Sequence, residues 1–102
     1  MYFVKDGVLV DKEGYLAATI SVKPLEDYKI QVVFENGETI VFDMTPYLDE
    51  PYFEGLRDKS IFNLVSRNEF TTLGPHWEDE TIELDAIMGL CTIYENGVHI
   101  KP

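Results

Sequence analysis

Apolar and polar residues alternate most regularly between residues 28 and 44, in the stretch YKIQVVFENGETIVFDM. A period of two places one set of side chains on one face of a β-strand. The dipeptide Asn36-Gly37 lies in the middle of the stretch and is the strongest short-range signal for a β-hairpin. The stretch therefore predicts two antiparallel strands joined by a tight turn, and the rest of the chain is expected to pack against the face that they bury.

The length of the hairpin loop follows from the face that the two strands must share. A loop of two residues would place Val32 opposite Val41 and would separate the two apolar sets, because a shift of one residue exchanges the faces of a strand. A loop of three residues, 35–37, instead places Val32 opposite Ile40. We therefore predict a type I turn with Gly37 in the left-handed conformation, followed by a bulge.

The ends of the chain carry weaker turn signals. Asp6-Gly7 predicts an N-terminal hairpin within residues 1–20, and a second Asn-Gly pair predicts a C-terminal hairpin within residues 90–102. Residues 16–22 read as extended chain leading into the central hairpin, and Pro24 is expected to end that segment. The two terminal hairpins are expected either to pair with each other or to extend the main sheet.

Prolines that follow cap-forming residues predict short helices at about 45–64, and Asp85 predicts another one at 85–90. The predicted fold class is therefore α+β, with an antiparallel sheet built around the hairpin 28–44 and packed against these helices. The sequence shows no linker and no repeat, so residues 1–102 are expected to form a single domain.

The net charge argues against two classes of binding partner, nucleic acids and anionic membranes. Nineteen acids against eight bases give −11 at pH 7. Nucleic acids and anionic membranes are bound chiefly through Lys and Arg, so neither is an expected partner. No apolar run approaches the length of a membrane span and no signal-peptide core is recognisable. The single cysteine, Cys91, is interpreted as a small core residue, and it favours a reducing, cytoplasmic location.

Candidate catalytic groups are few. Cys91 could in principle pair with His76 or His99 as nucleophile and base, but no third orienting group has a recognisable spacing. His76 and the acids at 78–80 supply potential metal ligands, but runs of acids usually form solvated turns. We therefore predict no enzymatic activity, no cofactor and no metal site.

The acidic residues are unevenly distributed. No Lys or Arg lies between Arg67 and Lys101, whereas the same interval contains seven acids. A patch of one sign attracts an oppositely charged partner and accelerates association, although the alternative is that these acids only solvate the surface. Tryptophan often anchors interfaces, but it also fills cores, and the second interpretation is favoured for Trp77. The candidate partner-binding residues are Trp77, Glu78, Asp79, Glu80, Glu83 and Asp85.

Four segments in order resemble a small bacterial family, domain of unknown function 2442. They are SVKPLEDY (21–28), FENGETIVFD (34–43), PYLDEPYFEGLRDKSIF (46–62) and HWEDETIELDAI (76–87). The resemblance covers a core of about 21–89 and marks both terminal hairpins as additions. It implies a small α+β domain without an established activity, cofactor or catalytic residue. It also implies an antitoxin-like role beside a small partner protein.

The predicted function is that of a non-enzymatic, acidic protein-interaction module that binds a small basic protein, such as the product of an adjacent gene. One alternative is a small ligand-binding domain, or an uncharacterised enzyme, with a pocket between sheet and helices. A third interpretation is a structural homodimer formed through the unpaired edges of the terminal hairpins.

Overall fold

The computed structural model describes residues 1–67, 75–77, 82–83 and 89–100. The strands are β1 (Phe3–Lys5), β2 (Val8–Val10), β3 (Thr19–Leu25), β4 (Lys29–Phe34), β5 (Thr39–Asp43), β6 (Ser66–Arg67), β7 (Pro75–Trp77), β8 (Ile82–Glu83) and β9 (Val98–Ile100). The described residues form two 3-10 helices, Thr45–Tyr47 and Pro51–Arg57, and two α-helices, α1 (Lys59–Phe62) and α2 (Gly89–Asn96). This inventory confirms the α+β class.

The central hairpin is confirmed in its register as well as in its existence. Ile30 faces Phe42 and Val32 faces Ile40 across β4 and β5. Gly37 has a φ of +90° and donates its amide to the Phe34 carbonyl oxygen at 2.9 Å. These features are those of the three-residue loop, which was required because both apolar sets must point to one face.

The hairpin forms the centre of a four-stranded antiparallel sheet with the order β3-β4-β5-β9. The face that carries Ile30, Val32 and Ile40, here called the core face, is fully buried. The opposite face, called the second face, carries Val33 and Val41 in half-buried positions. The sheet therefore has one dry face and one partly exposed face, as is common in antiparallel sheets.

Short helices cover the core face. The buried side chains in these helices and directly after the first of them are Leu48, Phe53, Leu56 and Phe62. The Asp58 carboxylate accepts a hydrogen bond from the Ser60 amide at 3.0 Å and so caps α1. Because helices of this length are marginal alone, their burial against the sheet supplies most of their stability.

Two smaller sheets flank this layer. β1 and β2 form the predicted N-terminal hairpin, with Asp6 and Gly7 both at positive φ in a two-residue loop. β6, β7 and β8 form a three-stranded antiparallel sheet, and β6 lies beside β3. The N-terminal hairpin reaches the common core through Tyr2 and Leu9.

The predicted C-terminal hairpin is wrong. Residues 90–96 belong to helix α2, and only β9 is a strand, which pairs with β5. Leu90, Ile93 and Tyr94 recur at helical spacing, and the neighbours Ile93 and Tyr94 are both buried, which a strand with one buried face does not allow. The helix predicted at 85–90 falls mostly on residues 84–88, which lie outside the described residues; only Gly89 and Leu90 of that range are described, and they belong to α2.

Pro24 does not end the segment before the central hairpin. β3 continues through Pro24 to Leu25, opposite Ile30 and Lys29. Within the described strands β3 is an edge strand, and an edge position tolerates a residue without an amide hydrogen. The position of a strand within its sheet is not visible in the local sequence, which is why this prediction failed.

Candidate functional site

Trp77 lies in the protein core. Its side chain is 1% exposed, and its ring centroid lies 5.8 Å from that of Phe62. The indole nitrogen donates a hydrogen bond to the Phe62 carbonyl oxygen at 2.8 Å. A buried indole needs such an acceptor, so Trp77 serves to hold β7 against the end of α1. This position matches the interpretation of Trp77 as a core residue.

The candidate acidic residues come after strand β7 in the sequence. Glu78, Asp79 and Glu80 come directly after Trp77 in the sequence and lie outside the described residues, as does Asp85. Glu83 belongs to β8, where its backbone pairs with His76 of β7. The described residues thus give the attachment point of the acidic segment, and its binding role stays a prediction.

The environment of Cys91, the candidate nucleophile, disfavours the reactive thiolate form. Cys91 is half-buried on α2, and its Sγ lies 3.6 Å from the Gly7 carbonyl oxygen. Burial raises the pKa of the Cys91 thiol, whereas a nucleophilic cysteine needs a lowered one. His99 uses its Nε2 for a 2.7 Å contact with the Tyr94 carbonyl oxygen. Within the described residues, no group of three metal-ligating side chains comes together.

A polar cluster joins α2 to the central hairpin. Tyr94 is buried, and its hydroxyl accepts a hydrogen bond from the Tyr2 amide at 3.0 Å and donates one to the Glu38 carboxylate. The His99 ring lies edge-on to Tyr94, with centroids 4.8 Å apart. The cluster therefore ties together the N-terminal hairpin, the turn after β4 and the helix α2.

The ionisation of this cluster follows from its burial and hydrogen bonds. Burial raises the pKa of the Tyr94 hydroxyl, and the bond to Glu38 raises it further, so the group is a neutral donor. Burial also raises the pKa of the Glu38 carboxyl, but hydrogen bonds from Tyr94 and Asn36 outweigh burial and lower it overall. A neutral donor beside an ionised acceptor is a stable pair rather than an acid–base catalyst.

A cavity of about 260 Å³ lies between the β3–β4 turn and α1. Asp27 and Tyr28 in this turn have φ values of +59° and +58°, and Lys59 Nζ lies 5.6 Å from the centroid of the Tyr28 ring. Positive φ is rare for residues such as tyrosine and is concentrated at functional sites. The cavity lies at a turn beside the sheet, whereas the space between the core face and the helices is filled by buried side chains.

A wider groove of about 510 Å³ lies beside the N-terminal hairpin. It is bordered by the turn at 11–15 and by Glu35 and Asn36 of the central hairpin. Tyr15 and Leu16 are strongly exposed at its rim. The Asp11 carboxylate holds the turn by accepting the amides of Glu13 and Tyr15.

Comparison with known proteins gives a family and no function. A family model described as "Protein of unknown function (DUF2442)" matches residues 19–97. The chain belongs to the DUF2442 family. No curated protein and no solved structure matches the chain.

The DUF2442 match is longer than the predicted core of 21–89. It includes the whole of α2, so the segment 90–97, which was predicted to be an addition, is part of the family domain. The cavity beside Tyr28 also lies inside the match, whereas the groove beside the N-terminal hairpin is formed largely by residues outside it. Among the described residues, no helix meets the length and apolarity that a membrane crossing requires.

Two features of this DUF2442 domain escaped the sequence analysis. The Tyr94–Glu38 pair joins residues 56 positions apart, and no local pattern indicates such a contact. The left-handed turn at Asp27 and Tyr28 has one partial signal, because aspartate tolerates this conformation better than most residues. Tyr28 itself gives no sequence signal for this turn.

Proposed function

We propose that this DUF2442 domain is a non-enzymatic, acidic interaction module that binds a small basic protein in the cytoplasm, as the antitoxin-like member of a two-gene pair. The observation that carries the proposal is the charge of −11 together with the interval between Arg67 and Lys101, which contains seven acids and no Lys or Arg. An excess of one sign accelerates the encounter with an opposite charge and excludes nucleic acid as a direct ligand.

The setting of Trp77 supports this proposal. Its indole is packed on Phe62 and hydrogen-bonded to the carbonyl oxygen of the same residue, so the end of β7 is held by the core. Glu78 follows immediately. The acidic segment at 78–80 therefore begins next to a residue that the core holds in place.

The thiol of Cys91 also favours binding over catalysis. Its raised pKa and its contact with the Gly7 carbonyl oxygen keep it protonated and occupied. A thiol in this state is a poor nucleophile. The chemistry of the described residues therefore supports recognition rather than a covalent reaction.

The test is association with the product of the neighbouring gene, measured at several salt concentrations. Replacing three acids at once (Glu78→Gln, Asp79→Asn and Glu80→Gln) should lower the association rate roughly tenfold and flatten its salt dependence. Failure of the two proteins to co-purify at low salt would refute the proposed partner.

The matched control removes the same number of charges elsewhere. Glu13, Glu26 and Glu50 are exposed and lie far from 78–80 in the sequence. Their triple change to glutamine should leave most of the association rate intact. An equal loss in both triple variants would show that total charge, and not the acidic segment at 78–80, attracts the partner.

Binding of a small ligand is the second candidate function, favoured by the cavity beside Tyr28. Its volume of about 260 Å³ lies just below the range of roughly 300–1,000 Å³ that is usual for ligand pockets. Phe62 lines the cavity and packs on Trp77, so a ligand there should change the fluorescence of Trp77. Screening small cations and anions for this change tests the alternative.

A further inference from the structure

We infer that β9 pairs with β9 of a second copy of this chain and so forms a homodimer, in an interface separate from the acidic segment proposed for the basic partner. Among the described strands, β9 ends the order β3-β4-β5-β9 and has a neighbour on one side only. The outer edge of such a strand presents unpaired amide and carbonyl groups, which another strand can bind.

The two edges of this sheet differ in how they are protected. The β3 edge has a register irregularity at Thr19/Ser21, followed by Lys23 and Pro24, and β6 lies beside it. A bulge, a lysine and a proline are three devices by which natural edge strands resist pairing. Within Val98–Ile100 β9 has no bulge, lysine or proline, and Lys101 and Pro102 follow it in the sequence. Among the described residues, the β3 edge is therefore blocked and the β9 edge is open along Val98–Ile100.

The open edge also carries apolar side chains. Val98 is 64% exposed and Ile100 is 47% exposed. Their partners Val41 and Thr39 in β5 place them on the second face of the sheet, next to the half-buried Val41. A partner strand that continues the sheet would cover these side chains as well as the backbone edge.

A second copy fits this edge through symmetry. If two β9 strands run antiparallel about a two-fold axis at His99, each Val98 lies opposite Ile100 of the other copy. The register places four exposed apolar side chains in one patch on the second face, flanked by both Val41 residues. An isologous contact of this kind uses the same surface twice and closes on itself.

The local charge allows two acidic chains to meet here. β9 and the three residues of β5 that pair with it contain no carboxylate. Each chain nevertheless carries −11, so the copies repel at long range. Salt screens such repulsion, and the homodimer should therefore become tighter as salt is added. Binding of the basic partner should become weaker under the same change, so the two proposals fail independently.

Sedimentation of the full chain tests the dimer. With increasing protein concentration the wild type should shift from 11.7 kDa toward twice that mass, and the shift should come at lower concentration in high salt. Val98→Lys and Ile100→Lys should remain monomeric with unchanged circular dichroism, because both side chains are exposed in the monomer. A wild type that stays monomeric at all concentrations and salt levels overturns the inference.

The matched control is Ile20→Lys. Ile20 is 56% exposed, comparable to Val98 and Ile100, but it belongs to β3 at the blocked edge. This variant should dimerise like the wild type. Loss of the dimer in Ile20→Lys as well as in Val98→Lys would show that the contact is not specific to β9 and would overturn the assignment.

A cross-link tests the register. In an antiparallel pair centred on His99, the two His99 Cα atoms lie about 4.5–5.5 Å apart, which suits a disulfide. His99→Cys, in a Cys91→Ser background, should form a covalent dimer in air, and Ile20→Cys in the same background should not. A sedimenting dimer without this cross-link would overturn the proposed pairing.

Discussion

Asn36-Gly37 and Asn96-Gly97 are the same dipeptide in two different settings. The first lies in the loop of the central hairpin, where Gly37 has a φ of +90° and no atom within 4 Å of the position a Cβ would occupy. The second lies at the junction of α2 and β9. A Cβ on Gly97 would approach Ile40 Cγ2 to 2.3 Å and the Ile93 carbonyl oxygen to 2.7 Å.

The two glycines are therefore needed for different reasons. Gly37 supplies a backbone conformation that residues with a side chain rarely adopt. Gly97 supplies room, because the end of α2 passes directly against β5 before the chain turns into β9. Its amide still completes the helix by donating to the Ile93 carbonyl oxygen at 2.9 Å. The Asn-Gly dipeptide thus forms a turn at 36–37 and permits a close contact between α2 and β5 at 96–97.

The largest expected effect comes from filling the space at Gly97. Gly97→Ala should destabilise the protein by about 3 kcal/mol, because the added methyl group meets a buried branched side chain and a backbone carbonyl, neither of which moves easily. Gly37→Ala, the matched change in the turn, should cost about 1 kcal/mol through backbone strain alone. Chemical denaturation of both variants measures the difference. Equal losses of stability in the two variants would contradict the conclusion that Gly97 is needed for space and Gly37 for backbone conformation.

The contrast also shows how far the local sequence predicts this fold. The register of β4 and β5 was predictable because alternation over many residues allows only one loop length. The capping of α1 by Asp58 was predictable because the cap is a local hydrogen bond. Both features depend on residues close together in the sequence.

Features that depend on distant residues were missed. The Asn-Gly signal at 96–97 suggested a hairpin, whereas the adjacent buried pair Ile93 and Tyr94 indicates a helix, because neighbouring residues on a strand point to opposite faces. In the candidate site, the core position of Trp77 was favoured from the sequence, but its hydrogen-bond acceptor was not predicted. That acceptor is the Phe62 carbonyl oxygen, a tertiary contact between residues distant in the sequence.

An intermediate effect is expected where the two regions are tied together. The Tyr94 hydroxyl of α2 donates to the carboxylate of Glu38, the residue after Gly37, and accepts the Tyr2 amide. Tyr94→Phe removes both bonds and should cost about 1.5 kcal/mol at pH 7. Tyr15→Phe, which changes an exposed tyrosine, should cost less than about 0.5 kcal/mol.

The pH dependence of this cost gives a sharper test. The folded protein lowers the pKa of Glu38, so the stabilisation is present above the unfolded-state pKa of about 4.3 and is lost as the pH falls through the folded-state value. The difference in stability between wild type and Tyr94→Phe should therefore shrink on acidification from pH 7. A difference that stays constant down to pH 3 would mean that the carboxylate is not the partner that matters.

The smallest expected effect is the difference between asparagine and alanine at Gly37 and at Gly97, which distinguishes a need for backbone conformation from a need for space. Asparagine tolerates the left-handed conformation better than alanine, so Gly37→Asn should cost less than Gly37→Ala. At Gly97 the order should reverse, since the larger asparagine side chain worsens the collision with Ile40 and gains nothing from its backbone tolerance. The four unfolding free energies form a closed set, measurable by denaturant titration. If the asparagine variant loses less stability than the alanine variant at both positions, Gly97, too, is required for its backbone conformation. The difference drawn between the two dipeptides would then be wrong.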